Sequence, residues 1–151
     1  TTDGVLCVKI TPVGYFCEPE NLEQAKCAIM CVLSALQDLH ARCWVHCDIR
    51  VENVMWKPPG KEWYLMDLEY ARKVDDICPP IRREFCPPEL QNGSSSGRWT
   101  TSCDMWQVGL MMQMLNVDWD TSCKNLIMAL LNTDATKRPS AYDACQSYCL
   151  K

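Results

Sequence analysis

The chain has 151 residues, 48% of them hydrophobic, and a formal net charge of −4. This size and composition fit one globular domain with a hydrophobic core. A weakly acidic chain with scattered basic residues has no electrostatic footprint for nucleic acid. No apolar run approaches the roughly 20 residues that span a bilayer, so the sequence predicts neither a membrane nor a nucleic-acid partner.

Twelve cysteines are the unusual feature of the composition. No Cys-x-x-Cys motif occurs and there are only two histidines, which disfavours a zinc site. Several cysteines replace apolar residues within helical patterns, which disfavours a disulfide framework. Reduced and mostly buried thiols in an intracellular, reducing compartment are the interpretation that fits this pattern.

The first part of the chain predicts a strand and then a long helix. The run VLCVKI over 5–10 has strand character and ends at TPVG over 11–14. Acidic residues at 18 and 20 favour a helix start. Apolar residues then recur at helical spacing, which predicts a helix over 21–41.

Residues 44–67 concentrate the side chains that carry chemistry. The stretch WVHCDIRVENV over 44–54 includes Asp48, Arg50 and Asn53, and a second apolar run ends at Asp67. Two short apolar runs on either side of KPPGK over 57–61 predict a β-hairpin that brings Asn53 and Asp67 toward the same edge. Two carboxylates and an amide suit a nucleotide-phosphate site, because one carboxylate orients a hydroxyl while the other and the amide hold magnesium.

The second half predicts an irregular segment followed by helices. Residues 68–90 contain two Pro-Pro pairs and no periodicity, and 91–98 are rich in Gly and Ser. Helical patterns follow from Asp104 to Leu115, over 122–131 and over 139–150, the first apolar on most faces and therefore buried. The predicted fold class is mainly α with a small β-hairpin.

These motifs, in this order, resemble the protein kinase superfamily. HCDIRVEN over 46–53 and DLE over 67–69 are similar to the family's catalytic loop HRDLKxxN and metal loop DFG. The wording HxDIRxxNV followed by MDLExA is most similar to the kinase-like domains of Crinkler-type effector proteins. PPE over 87–89 resembles the Ala-Pro-Glu motif, DMWQVG over 104–109 resembles DxWSxG, and Arg138 matches the Arg that pairs with the family's Glu.

The resemblance implies a kinase-like large, C-terminal lobe. The small N-terminal lobe is absent or nearly absent, because the chain contains no Gly-rich loop, no Val-Ala-x-Lys strand and no helix supplying its partner Glu. The resemblance also divides the chain. Residues 1–14 would be the last small-lobe strand and the hinge, 21–41 the long helix and 44–67 the catalytic and metal loops. Residues 68–90 would be the activation segment and 100–150 the helical subdomain.

The same resemblance assigns roles to individual residues. It makes Asp48, Arg50 and Asn53 catalytic, and it makes Asn53 and Asp67 ligands of Mg²⁺. ATP would lie against the cofactor-binding positions Thr11, Val13 and Met55. It gives structural roles to four further residues: His46, Glu89, Asp104, Arg138. Asp104 would hold the catalytic-loop backbone, and Glu89 would pair with the distant Arg138.

Four departures from the family pattern bear on function. Cys47 replaces the Arg that senses activation-segment phosphate. Between Asp67 and Glu89 there is no Ser or Thr, and only Tyr70 could be phosphorylated, so phosphorylation is not expected to regulate this segment. Glu69 replaces the Gly of the metal loop, where it would be either an extra Mg²⁺ ligand or a block. The interval from 109 to 138 is short for the extra helix that many kinases use for substrate docking.

Two functional hypotheses follow. The first is an ATP-dependent phosphotransferase of the protein serine/threonine kinase type, acting on a protein substrate and completed by an N-lobe in cis or in trans. The alternative is a catalytically inactive pseudokinase that serves as a protein-interaction module. Under either hypothesis the 151-residue chain alone is expected to be nearly inactive.

Overall fold

The computed structural model describes residues 13–58, 62–77, 82–91 and 97–147. The predicted strand over 5–10, Thr11, and most of the Gly/Ser-rich loop lie outside the described residues. Within them, the helices are α1 (Leu22–Ala41), α2 (Pro88–Gln91), α3 (Thr101–Met114), α4 (Thr121–Leu130) and α5 (Ala141–Ser147). The strands are β1 (Tyr15–Phe16), β2 (Trp44–Val45), β3 (Val54–Lys57), β4 (Glu62–Leu65) and β5 (Arg72–Lys73).

Helix α1 corresponds to the helix predicted over 21–41, and its start is capped. The Asn21 side chain accepts a hydrogen bond from the Gln24 N–H, and the Gln24 side chain accepts one from the Glu20 N–H, both at 3.0 Å. These bonds satisfy N–H groups that have no partner inside the helix. One face of α1 is fully buried and forms the centre of the core: Ala25, Ala28, Ile29, Val32, Leu33, Leu36.

Strands β3 and β4 form the predicted hairpin, with Val54 opposite Leu65. The Met66 N–H also donates to the Asn53 carbonyl at 2.9 Å. The hairpin therefore brings the backbone of Asn53 next to the residue that precedes Asp67. Strand β1 adds an edge to this sheet, which the sequence did not predict because two residues are too short for a recognisable period.

The segment predicted as irregular contains paired backbone. Strand β5 pairs antiparallel with β2, and residues 75–77 then meet residues 98–99. The Asp75 N–H donates to the Trp99 carbonyl at 2.9 Å, and the Trp99 N–H donates to the Asp76 carbonyl at 3.0 Å. The first half of the segment over 68–90 is thus fixed on two sides by backbone hydrogen bonds.

Helix α3 crosses the interior and carries the underside of the site. It packs closely on α4, because a Cβ at Gly109 would lie 2.9 Å from side-chain atoms of Leu130 and Leu131. A salt bridge of 2.8 Å between Lys26 and Asp120 joins α1 to the start of α4. None of the helices in the described ranges is long and apolar enough to cross a bilayer.

The buried thiols fit the interpretation of cysteine as a small apolar residue. Burial raises the pKa of the Cys103 thiol to about 12 and that of Cys123 to about 11. In the part of the chain that the structure covers, no group of three or more His, Cys, Asp and Glu side chains has a metal-binding arrangement. Because these pKa values lie well above neutral pH, the thiols of Cys103 and Cys123 are protonated there.

Candidate active site

His46 begins the catalytic loop and lies buried between the two loops. Its Nε2 lies 3.1 Å from the Met66 carbonyl, to which it donates, and its Nδ1 accepts a hydrogen bond of 3.3 Å from the Asp48 N–H. Burial lowers the pKa of His46 even though three carboxylates, Asp104 first among them, act to raise it. A neutral ring with its proton on Nε2 satisfies both contacts.

Asp48, Asn53 and Arg50 form one compact group. The Asn53 Nδ2 donates to the Asp48 carbonyl at 2.8 Å and to the Asp48 Oδ2 at 2.9 Å. The Arg50 Nε lies 3.3 Å from the same Oδ2. That Nε is inaccessible to solvent and its approach lacks hydrogen-bond geometry, so the contact is an ion pair. The Asp48 carboxylate is thus oriented by an amide and a guanidinium while its side chain remains 14% exposed.

Asp67 stands at the end of the hairpin in a left-handed backbone conformation, with φ of 67°. Asp tolerates this region better than most residues with a Cβ. Its Oδ1 accepts a hydrogen bond of 3.3 Å from the Glu69 N–H. Leu68 and Glu69, the next two residues, are exposed. The charges of Asp48 and Asp67 both act to raise the pKa of His46.

Asp104 lies beneath the catalytic loop and is completely buried. One carboxylate oxygen, Oδ2, accepts from the His46 N–H at 2.8 Å and from the His40 Nε2 at 2.9 Å. The other, Oδ1, accepts from the Cys47 N–H at 3.0 Å and from the Trp99 indole N–H at 2.8 Å. Four donors converge on one carboxylate, and they fix the turn in which Cys47 takes a φ of 71°.

Gln107, one turn after Asp104 on α3, also contacts this loop, and the sequence motifs did not identify it. Its Oε1 accepts from the Ile49 N–H at 2.9 Å, and its Nε2 lies 3.2 Å from the Cys47 carbonyl and 3.3 Å from the Phe85 carbonyl. The sequence contained one usable signal, because residues three apart lie on the same helix face. A polar residue three positions after Asp104 in an apolar helix faces the same loop.

Glu89 and Arg138 form a bidentate pair, with both N–O distances at 2.7 Å. Arg138 also donates to the carbonyls of Ser102 and Asn132, and its guanidinium lies 4.9 Å from the centre of the Trp106 ring. Burial acts to raise the pKa of Glu89, but hydrogen bonds and charge from Arg138 outweigh it and hold that pKa below its ordinary value. The pair ties α2 to the loop before α5.

The residues assigned to the nucleotide are only partly placed. Val13 is exposed and lies just before β1, whose Phe16 pairs with Met55 of β3. Val13, assigned to the nucleotide by the resemblance, is thus two residues before the strand that pairs with Met55. Gly14, the residue after Val13, packs so closely on the Tyr64 ring that a Cβ at position 14 would overlap the ring.

The donor set suits a hard divalent cation. Asn53 binds Asp48 through its amide nitrogen, so its amide oxygen takes no part in those bonds. The Asp67 carboxylate has several lone pairs beyond the one that faces Glu69. Mg²⁺ prefers oxygen ligands and is held by one or two protein groups together with phosphates and water. Asn53 and Asp67 fit that requirement.

Comparisons with known proteins agree with the motifs. A model of the protein kinase domain family matches residues 18–118. Crinkler effector protein 8 of Phytophthora infestans is 29% identical over 149 residues, which cover 93% of this chain and 24% of that protein. Cyclin-dependent kinase G1 of Arabidopsis thaliana is 31% identical over 103 residues, which cover 65% of this chain and 16% of that protein. The resemblance found in the motifs is confirmed.

A solved structure shares the fold. The Cydia pomonella granulovirus kinase PK-1 superposes with a TM-score of 0.71 at 19% sequence identity, over 86% of this chain and 59% of that one. This chain spans less than a quarter of the length of the two relatives named above.

Proposed function

This chain belongs to the protein kinase domain family, and on that premise we propose that it is the large lobe of an ATP-dependent phosphotransferase. It transfers the γ-phosphate of ATP to a hydroxyl group of a protein substrate. The observation that supports this most is the arrangement around Asp48, whose carboxylate is oriented by Asn53 and paired with Arg50. An isolated acid on a surface would not be held by two partners.

Each polar residue of the site has a role in this proposal. Asp48 accepts the hydrogen bond of the substrate hydroxyl and takes its proton as the new bond forms. Arg50, with a planar fork that suits phosphate, contacts the transferred group. Asn53 and Asp67 hold Mg²⁺, which supplies positive charge against the phosphate oxygens of ATP. The neutral His46 orients the two loops and takes no part in proton transfer.

The lobe organisation is part of the same proposal. Residues 1–14 are the last small-lobe strand and hinge, with ATP lying near Thr11, Val13 and Met55, and an N-lobe in cis or in trans completes the site. Exposed apolar side chains on the side of the site support this arrangement, because they give a second lobe a surface to cover: Val13, Tyr15, Phe16, Leu68.

The test is transfer of radiolabelled phosphate from ATP by the full-length protein. Asp48→Ala is expected to lower the rate by about 10²–10⁴-fold, the usual worth of a positioned general base, without unfolding the protein. Asp38→Ala is the matched control, since Asp38 is an exposed acid on α1, and it should leave the rate unchanged. An Asp48→Ala protein that turns over like the wild type would refute the proposal.

The second candidate function is a non-catalytic kinase-like module, and Glu69 favours it. The backbone N–H of the exposed Glu69 donates to the Asp67 Oδ1. The Glu69 carboxylate would therefore add negative charge where phosphates would lie. Calorimetry with ATP and Mg²⁺ separates the two. Binding by a protein completed with a kinase N-lobe, but not by residues 1–151 alone, supports the phosphotransferase. Binding by neither supports the module.

A further inference from the structure

Gln107 joins two parts of the molecule that an active kinase must hold in register. Its amide contacts Cys47 and Ile49, the neighbours of Asp48 in the chain, and also Phe85, near the end of the segment over 68–90. The side chain is 1% exposed. No solvent competes for these bonds, so each one constrains the positions of the groups that make it.

A glutamine amide is chemically suited to this junction. It has two N–H donors and one carbonyl acceptor. Both donors are used on main-chain carbonyls and the acceptor is used on a main-chain N–H, so the amide is satisfied without water. The Ser that the resembling motif carries at this position has one hydroxyl on a shorter stem. It can replace at most one of the three bonds.

The surroundings lack the parts by which a kinase usually makes this connection through a phosphate. The residues between Asp67 and Glu89 contain no Ser or Thr, Tyr70 carries their one phosphorylatable hydroxyl, and position 47 is a cysteine and not an arginine. The first half of this segment is already fixed by its pairing with Trp44–Val45 and with residues 98–99. The second half, over 82–87, is contacted by Gln107 through Phe85.

We propose that Gln107 is a positioning residue that fixes the substrate-facing end of the activation segment to the catalytic loop, so that this segment is ordered without phosphorylation. The inference rests on the proposed phosphotransferase function. Its effect on the reaction is indirect, because Gln107 touches neither substrate nor phosphate. It acts by holding the peptide-binding segment beside Asp48.

Steady-state kinetics of the full-length protein give the first test. Gln107→Met conserves volume and removes all three hydrogen bonds, and it is expected to raise KM for a protein substrate about tenfold while KM for ATP stays unchanged. Gln113→Met is the control, because Gln113 is an exposed glutamine on the same helix. Wild-type protein treated with phosphatase should keep its activity. Loss of activity on that treatment would contradict independence from phosphorylation.

Hydrogen exchange gives a second test that does not depend on catalysis. In the Gln107→Met protein, the Ile49 N–H and peptides covering 82–87 should exchange at least several-fold faster, while the Trp119 indole region and the Gln113→Met protein remain as in the wild type. If Gln107→Met does not fold, Gln107→Ser is measured instead. Unchanged exchange over 82–87 would overturn the role of Gln107 even in an active enzyme. An inactive wild type with the expected exchange would instead count against the phosphotransferase alone.

Discussion

The catalytic loop has two faces that differ in how their polar groups are satisfied. Below the loop, Asp104 and Gln107 are buried and their side-chain atoms are bonded to main-chain and side-chain partners. On the other face, Asp48 and Asp67 are only partly buried, and the Asp67 carboxylate accepts a hydrogen bond from the Glu69 N–H. Buried polar groups stabilise a fold only when they are matched. Carboxylates that are only partly buried keep lone pairs available for ligands.

This difference teaches that stability and chemistry are carried by different residues within one short segment. A change below the loop leaves buried donors or charges without partners, at a cost of several kcal/mol. Asp67, on the other face, is partly buried and its hydrogen-bond donor belongs to the exposed Glu69, so a change there should cost little stability. Substitutions below the loop should therefore lower the free energy of unfolding more than substitutions on the other face.

The largest effect is expected at Asp104. Asp104→Ala removes the acceptor of four hydrogen bonds and should lower the free energy of unfolding by more than about 3 kcal/mol. Asp104→Asn keeps one oxygen and the volume, so it should cost less. Urea denaturation measures both. A loss under about 1 kcal/mol for Asp104→Ala would break the distinction between the faces.

Arg138 should come next, because it is buried and paired with Glu89, which is 27% exposed in its side chain. Arg138→Met leaves Glu89 without its partner and removes two bonds to carbonyls, so a loss of about 3 kcal/mol is expected. Lys137→Met, at an exposed neighbour, is the control. Equal unfolding midpoints for the two variants would show that the pair contributes nothing to stability.

The same pair predicts a pH dependence. The folded protein holds the pKa of Glu89 below its ordinary value, so the unfolded chain binds the proton more readily. The stabilisation is therefore present above the unfolded pKa, about 4.3, and is lost as pH falls through the folded pKa. The difference in unfolding free energy between wild type and Glu89→Gln should shrink between about pH 5 and pH 3. If this difference in unfolding free energy grew on acidification, the predicted direction of the Glu89 pKa shift would be wrong.

The smallest effect on stability is expected at Asp67. Asp67→Asn keeps a residue that tolerates the φ of 67° and removes one charge, so the free energy of unfolding should change by less than about 0.5 kcal/mol. Asp67→Ala is less suited to that conformation and should cost about 1 kcal/mol. Thermal unfolding of the two variants sharpens the comparison, since a large loss in Asp67→Asn would place Asp67 among the structural residues.

Much of the site could be inferred from short motifs. Asp48, Arg50 and Asn53 lie within six positions, so the local chain path alone brings them together. The hairpin that leads to Asp67 was readable from a Pro-Gly turn between two apolar runs. The pair of Glu89 with Arg138, 49 residues apart, was identified only through the family resemblance, because nothing local connects them.

Other features could not be read from the chain. His40 lies in the last turn of α1, and its contact with Asp104 depends on the crossing of α1 and α3. The strands β1, β2 and β5 have two residues each, and periodicity needs longer runs. Gln107 stands where the resembling motif has Ser, but its partners lie 22 to 60 residues away in the chain.

The amino-acid sequence alone determined the order of motifs, the long helix, the hairpin and the family, since each depends on residues near one another in the chain or on a pattern of residue types. Only the tertiary structure decided which buried polar atoms face each other across the catalytic loop, including the three bonds of Gln107 and the four of Asp104. The physical reason is that a hydrogen bond depends on distances of tenths of an ångström. Such distances are set by the packing of helices from distant parts of the chain.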